Sequence, residues 1–349
     1  MKNFFNKKRT IFLIEILVLI LTVFLIFQVN KSNRKEIWEF DGSDIYYEYN
    51  QALRFGSGEN PYKRILEHDL LVNRKYATLF PLYYYFLFGI VKLSEFNFET
   101  FLDNYRTILY IAEIGVGVFI YLLFKREGKP VAGYLAGTFY MFNRWVIKSI
   151  ADGKQDTIAI MFLVMAIYFL TSKNKKLKIW SFFIYGISMG IKHIGVFLGP
   201  IFILPLIKGD LDLKEFLKGI ALFLVPTIGA GLYVIIDSPK AFFYSMLFSF
   251  TREPSKADVA FGYRDLLVLY NVGVEKNSIF FYLLPRLPLV LFSLLNTVLL
   301  WLRKIPIYVY CLTSTFIFIA FNPVLTTQYF VWVVPFIFMP ALLIEKADK

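Results

Sequence analysis

Runs of about 20 apolar residues recur along this chain from its first turns to its last, each long enough to cross a hydrocarbon layer of roughly 30 Å as a helix. Inside lipid the backbone must satisfy its own hydrogen bonds, and a helix does so within a single run. Composition points the same way. The 349 residues are 57% hydrophobic, 19% aromatic and only 18% charged, with a mean hydropathy of +0.56, far above that of a water-soluble domain. The expectation is an all-α polytopic membrane protein with about ten transmembrane helices, forming one integral membrane domain over 1–349.

The formal net charge of +12 could suggest nucleic acid as a partner, but the Lys and Arg residues sit between apolar runs and form no continuous basic face. Nucleic acid is therefore not expected, and the lipid bilayer is. The single cysteine, Cys311, falls inside an apolar run, so neither a disulfide framework nor a cysteine metal site is available. The first run, Ile11 to Val29, follows Lys7, Lys8 and Arg9 and has no small-residue cleavage site, which reads as a retained signal anchor.

Short basic connectors stay on the cytoplasmic side, and one alternating path satisfies them all. It places inside the N-terminus, Lys125-Arg126 with Lys129, the run Lys173 to Lys178, Lys208 to Lys218, Arg303-Lys304, and the C-terminal Lys346 and Lys349. Both termini are then cytoplasmic, in a plasma membrane for a prokaryotic chain or the endoplasmic reticulum for a eukaryotic one. The spans become roughly 11–29, 107–124, 131–147, 156–171, 179–191, 194–207, 216–236, 279–302, 305–320 and 328–344. Two long segments, 30–106 and 237–278, are left outside. The first holds ten Lys/Arg against eleven Asp/Glu, a mixed surface and no basic tail. Its apolar stretch Leu79 to Leu93 is marginal for spanning and reads as interfacial, with Tyr83, Tyr84 and Tyr85 at headgroup depth.

Chemistry would reside in these outer segments. If the part after Ser43 is helical, Asp44, Glu48 and Gln51 share one face at i, i+4 and i+7, above an apolar side containing Ile45 and Ala52. The turn Asp41-Gly42-Ser43-Asp44 equally suits a plain helix cap. A tight loop, Gly56 to Tyr62, follows. Asp152 and Asp156 lie in the connector Ser149 to Thr157, where acids at a helix start are favourable whatever the function. Lys192 is harder to assign to structure alone. A lysine between two apolar half-spans costs about 2.5–3.5 kcal/mol unless it meets water or an anion. His193 beside it is the weaker candidate. In 237–278, Arg252, Lys256, Arg264 and Lys276 accompany a surface stretch, Ala241 to Phe250; Gln328 and Tyr329 sit at the outer end of the last hairpin.

Four stretches in chain order resemble the glycosyltransferase C superfamily: Asp44 to Tyr62 followed by Leu79 to Tyr85, Phe142 to Ile160, Gly186 to Pro205, and Phe321 to Phe336. Within it, the chain resembles the dolichyl-phosphate-mannose-dependent GPI mannosyltransferase I family and the glycosyltransferase family 87 mannosyltransferases. The resemblance implies a polyprenyl-phosphate sugar donor, an inverting transfer of a hexose (mannose by likeness) and an acidic residue on the first outer loop near the acceptor. That residue maps to Asp44, with Asp41 as its rival, because Gly-Ser separates the two acids where the GPI family has Asp-x-Asp. Gly153 and Asp156 keep the second motif, although Asp152 stands where that family has arginine. Lys192 matches the lysine of the third motif, and Gln328-Tyr329-Phe330 match the Gln-Tyr-Phe of the last.

On this reading Asp44 or Asp41 is the catalytic base. Lys192, Arg264, Gln328 and Tyr329 face the donor and its phosphate, while Asp156, Asp152, Tyr62 and Glu48 bind substrate. The acceptor, a glycolipid, glycan or protein, is left open. No cofactor is demanded, and a divalent cation through Asp41, Asp44, Asp152 or Asp156 is an open alternative with no ligand spacing that requires it. The rival classes are a lipid-linked glycan transporter or flippase, which would show repeated halves with broken helices, and a membrane polymerase or ligase.

Overall fold

The computed structural model describes residues 2–38, 43–67, 76–251, 286–322 and 327–344, and every regular element among them is helical. Asp41 and Arg264, together with Arg252, Lys256 and Lys276, lie outside the described residues. In chain order, α1 (Lys2–Ser32) is followed by α2 (Asp44–Gly56), a 3-10 turn (Pro61–Lys63), α3 (Arg64–Glu67), α4 (Pro81–Leu93) and the long α5 (Phe98–Arg126). Then come α6 (Pro130–Met141), α7 (Arg144–Ala151), α8 (Asp156–Leu170) and α9 (Lys175–Ile191). A 3-10 segment, His193–Ile203, leads through α10 (Leu204–Ile207) to α11 (Leu213–Thr227), α12 (Leu232–Asp237) and α13 (Pro239–Thr251). The pair α14 (Leu287–Trp301) and α15 (Ile307–Phe321) precedes three 3-10 pieces, Thr327–Trp332, Val334–Phe336 and Met339–Leu343.

Among the described residues, three helices are long and apolar enough to cross a membrane: Glu15–Ser32, Phe98–Arg126 and Leu213–Asp237; several shorter apolar helices accompany them. The burial pattern is inverted relative to a soluble protein. Leu17 and Phe24 are 57% exposed, Leu294 58% and Phe316 61%, while Glu113, Asp156, Thr157 and Ser188 are completely buried. Such a surface is stable against lipid and not against water, so the chain is an integral membrane protein.

Helix boundaries depart from the expected spans where the sequence offers a competing local bond. The expected span 131–147 divides because the Asn143 side chain accepts from the Trp145 N–H at 3.0 Å, starting α7 anew. Pro226 and the Gly229–Gly231 turn interrupt 216–236. The expected spans 194–207 and 328–344 wind largely as 3-10 helix, with Pro200, Pro205, Pro335 and Pro340 removing donors from the i→i−4 ladder. The tighter winding rises about 2.0 Å per residue against about 1.5 Å in an α-helix, so these short segments reach further.

The basic connectors gather at one end of the bundle. Arg126 donates to the carbonyl of Tyr168 at 2.9 Å and to the Thr171 hydroxyl at 2.6 Å, and Lys129 donates to the carbonyls of Ala341 at 2.9 Å and Leu342 at 3.2 Å. Lys178 pairs with Asp210 at 2.5 Å, and Arg303 reaches the carbonyl of Ile207 at 3.0 Å. At the opposite end, Arg34 pairs with Asp103, and Lys35 with Asp152 at 3.5 Å.

Lys192 marks a chain reversal. α9 stops at Ile191, Lys192 is extended (φ −152, ψ 121), and the 3-10 segment starts at His193. The Tyr185 hydroxyl donates to the carbonyl of Gly195 at 3.0 Å, and the rings of Tyr185 and Phe202 stack at 4.2 Å. Residues on either side of position 193 are therefore paired antiparallel, and Lys192 is at the apex of a hairpin, on the end opposite Lys178. Close approach elsewhere relies on glycine: a Cβ on Gly137 would lie 2.6 Å from the carbonyl oxygen of Gly117 across the α5–α6 contact.

The interfacial reading of α4 needs correction. Tyr83 and Tyr84 are completely buried and only Tyr85, at 40%, is exposed. The buried hydroxyls have internal partners, which removes the need for headgroup water. Tyr83 shares a 3.1 Å hydrogen bond with Tyr105, and the Tyr84 hydroxyl accepts from the Thr78 N–H at 3.2 Å. The Tyr84 ring stacks on Phe55 of α2, which packs Ile45, Tyr49, Ala52 and Phe55 inward.

Candidate active site

Four chain segments converge at the end of the bundle opposite the basic connectors. α2 supplies the first. Ser43 caps it by accepting from the Tyr46 N–H at 3.3 Å, which sets its register and leaves Asp44 and Glu48 one turn apart on one face. The second is the turn between α7 and α8. Gly153 there has φ +64, a left-handed conformation that glycine adopts without strain, and a Cβ added to it would meet Ile45 of α2 at 3.4 Å. This turn delivers Lys154, whose ammonium pairs with the Asp44 carboxylate.

The hairpin apex is the third segment. Lys192 is 6% exposed and Asp156, at the start of α8, is completely buried; Lys192 Nζ lies 2.7 Å from Asp156 Oδ2. The fourth is the 3-10 segment Thr327–Trp332. Its Trp332 indole donates to Asp156 Oδ1 at 2.5 Å, and the Tyr329 ring lies 5.6 Å from Lys192 Nζ, within the range of a cation–π contact. Phe330 stacks on Trp145 of α7 at 5.0 Å, fastening the segment from behind. Both oxygens of Asp156 are thus taken, one by a cation and one by an indole.

Glu48 connects the two ion pairs. Burial pushes its carboxyl up from 4.5 to about 7, against a hydrogen bond from Tyr84 and the positive charges of Lys192 and Lys154. Its Oε2 is sealed from solvent and has no hydrogen-bond partner among the described residues. The Lys154 ammonium is held below its ordinary value, first by burial and then by the charge of Lys192, with Asp156, Asp152 and Glu48 opposing. Two lysines and four carboxylates, Asp44, Glu48, Asp152 and Asp156, therefore meet within a single site. The sign of the Glu48 effect gives a stability test. A carboxyl raised in the fold binds its proton more tightly there than in the unfolded chain, so its contribution is complete below pH 4.5 and is lost as the pH rises through about 7. Unfolding of the detergent-purified protein should show stability falling by up to roughly 3 kcal/mol between pH 5 and pH 8 on this account. In Glu48→Gln the slope should shrink by that amount, and an unchanged slope would refute the assignment.

The other sequence-derived residues fall at graded distances from this centre. Gln328 is half-buried next to Tyr329. Asp152 faces Lys35, and its neighbour Ala151 accepts from Arg106 at 3.0 Å, so it ties the turn to the chain leaving α1 while acting on Lys154 only through space. Tyr62 is completely buried, its hydroxyl donating to the carbonyl of Leu79 at 2.6 Å and its ring 5.3 Å from that of Phe242. It holds α3, α4 and α13 together and presents no free polar atom. Sequence reasoning passed over Lys154 and Trp332. Lys154 stands among acids in an exposed-looking turn, and only the need of a buried indole N–H for an acceptor singles out Trp332. Among the described residues, no three His, Cys, Asp or Glu side chains group to hold a metal ion. A divalent cation at Asp44 or Asp156 would have to displace a lysine.

Residues 80–232 match the family model of dolichyl-phosphate-mannose-protein mannosyltransferases. The match supports a glycosyltransferase of the C type. No curated protein and no solved structure matches the chain. The matched stretch carries Lys154, Asp156 and Lys192, whereas α2 and the Thr327–Trp332 segment lie beyond it.

Proposed function

We propose that this protein is a glycosyltransferase that moves a hexose, mannose by likeness to the matched family, from a polyprenyl-phosphate donor to a hydroxyl of a glycolipid, glycan or protein, at the outer or lumenal face and with inversion. The observation that carries the proposal is Lys192: a buried ammonium at a hairpin apex, held by Asp156 and within electrostatic reach of Glu48 on α2. A donor of this type keeps its isoprenoid in the bilayer and its sugar phosphate at the interface, where the end of a helical hairpin meets it. The termini are then cytoplasmic, and segments 30–106 and 237–278 of one membrane domain enclose the reactants.

Asp44, or Asp41, takes the proton of the acceptor hydroxyl. The hydroxyl oxygen attacks C1 of the sugar from the side opposite the phosphate, the C1–O bond breaks, and its electron pair leaves with the polyprenyl phosphate. Lys192, with Arg264, stabilises the charge that develops there. Asp156 fixes the position of Lys192, Tyr329 covers it, and Gln328 and Glu48 line the same site. Washed membranes containing the full chain should transfer radiolabelled mannose from polyprenyl-phosphate mannose to endogenous lipid or glycan. Membranes that bind the donor but transfer nothing, to lipid, glycan or protein, would sink the proposal. Loss of transfer in EDTA would add a divalent cation to it.

A further inference from the structure

Among the described residues, Glu48 is the carboxyl of the site that has no cation of its own. Lys154 pairs with Asp44, Lys192 with Asp156 and Lys35 with Asp152, and the first two lysines reach Glu48 only through space. The Tyr84 hydroxyl accepts from the N–H groups of Thr78 and Leu79 at 3.2 and 3.4 Å. Its single proton is therefore directed to Glu48, with which it shares a hydrogen bond. That bond occupies one carboxyl oxygen. The other, Oε2, is sealed and without a partner among the described residues, a place where an ionised oxygen is costly and a protonated one is not. The remaining ionisable groups in the field of Glu48 are Tyr62 of the 3-10 turn, Tyr83 and Tyr84 of α4 and Tyr105 of α5. None of them supplies a positive charge, and Asp44, one turn earlier on α2, adds a negative one.

A phosphodiester entering this site brings one negative charge to a place where each described lysine already faces a carboxylate. From this arrangement we infer that Glu48 is the proton-carrying member of the donor site: the polyprenyl-phosphate sugar binds the form in which Glu48 is protonated, and where Glu48 is ionised, donor binding takes up one proton from solvent. The coupling is reciprocal. The phosphate's charge tightens the hold of Glu48 on its proton, and the proton strengthens the hold of the site on the phosphate by the same factor. Because burial pushes the Glu48 carboxyl up to about 7 in the free protein, the linkage operates within the ordinary range of assay pH. This rests on the phosphate-linked donor proposed above and adds to that reading a binding residue and its protonation state; it requires nothing of the transfer step.

The probe is polyprenyl-phosphate mannose without acceptor, because its phosphodiester has no second proton to lose, whereas a monophosphate would itself titrate at about pH 6. Titration calorimetry of the full chain in detergent micelles should show donor affinity falling by about 10- to 30-fold between pH 6 and pH 8.5. Comparing two buffers of different protonation enthalpy at pH 8 should give an uptake of about 0.9 proton per donor bound, and at pH 5.5 close to none. Glu48→Gln, whose amide is uncharged at every pH, should bind the donor almost equally at pH 6 and pH 8.5 and take up no proton. Lys154→Arg keeps its charge throughout and should retain the uptake. Wild-type affinity independent of pH, an uptake at pH 8 below about half a proton, or a fall that persists undiminished in a folded Glu48→Gln would overturn the inference. Should Glu48→Gln fail to fold, Lys154→Arg decides, since loss of the uptake there would assign the proton to the lysine. No donor binding at any pH would refute the donor and the linkage together. Proton-linked binding without mannose transfer in wild-type membranes would refute the reaction and leave the linkage standing.

Discussion

Lys192→Met is expected to destabilise the protein by about 3–5 kcal/mol and to lower mannose transfer by about 10²- to 10³-fold, two effects that a second substitution should separate. The stability loss comes from Asp156, which is completely buried and would keep its charge with the Trp332 indole at 2.5 Å and the more distant Lys154 to oppose it. The activity loss comes from the missing cation beside the leaving phosphate. Adding Asp156→Asn removes the stranded charge, so Lys192→Met/Asp156→Asn should recover most of the thermal stability in detergent while transfer in washed membranes stays low. Such non-additivity is the expected signature of residues in direct contact. If the double variant regains activity along with stability, Lys192 serves the fold and not the reaction. If the single variant is as stable as the wild type, the buried pair described here is not the native arrangement.

Much of this site could be read from the residues, for a physical reason that also sets the limit. Lys192 was legible because a charge between two apolar runs demands an explanation wherever the chain goes. The shared face of Asp44 and Glu48 was legible because helical spacing is a local property. Their partners were not. Lys154 finds Asp44 across 110 positions, Lys192 finds Asp156 across 36, and Trp332 finds Asp156 across 176; periodicity and propensity carry no information at such separations. The same limit explains the tyrosines of α4. Their amphipathic character fits either a headgroup layer or an internal hydroxyl chain, and only the proximity of Tyr105 and Thr78 decides for the second. Tyr62 stood in a stretch that resembled a substrate loop, yet its ring fills a junction between helices. The bilayer itself was the easiest feature to infer, since it depends on summed apolar length and not on any one contact.

Asp44→Asn should lower kcat for mannose transfer by about 10²- to 10⁴-fold, the range for removing a general base. The substitution keeps the shape of the side chain and its place one turn before Glu48, but an amide oxygen cannot take up the acceptor's proton. The fold should tolerate it, because Lys154 is partly solvent-exposed and Ser43 caps α2 through its own hydroxyl. Donor binding should survive, so the loss is expected in kcat and not in the donor KM. Glu48→Gln is the necessary comparison. Its carboxyl lies one turn along the same helix, is pushed up by burial to about 7 and has an oxygen with no partner among the described residues, so it is the described carboxylate best placed to substitute for Asp44 as base. A Glu48→Gln enzyme that loses its kcat while Asp44→Asn retains it would move the base along α2 by one turn, and a collapse confined to Asp41→Asn would move it to the residues before the helix. Collapse in Asp44→Asn alone, with the transfer product still inverted in any residual activity, leaves one carboxylate in the role: the one that begins α2 at the partly exposed edge of the site.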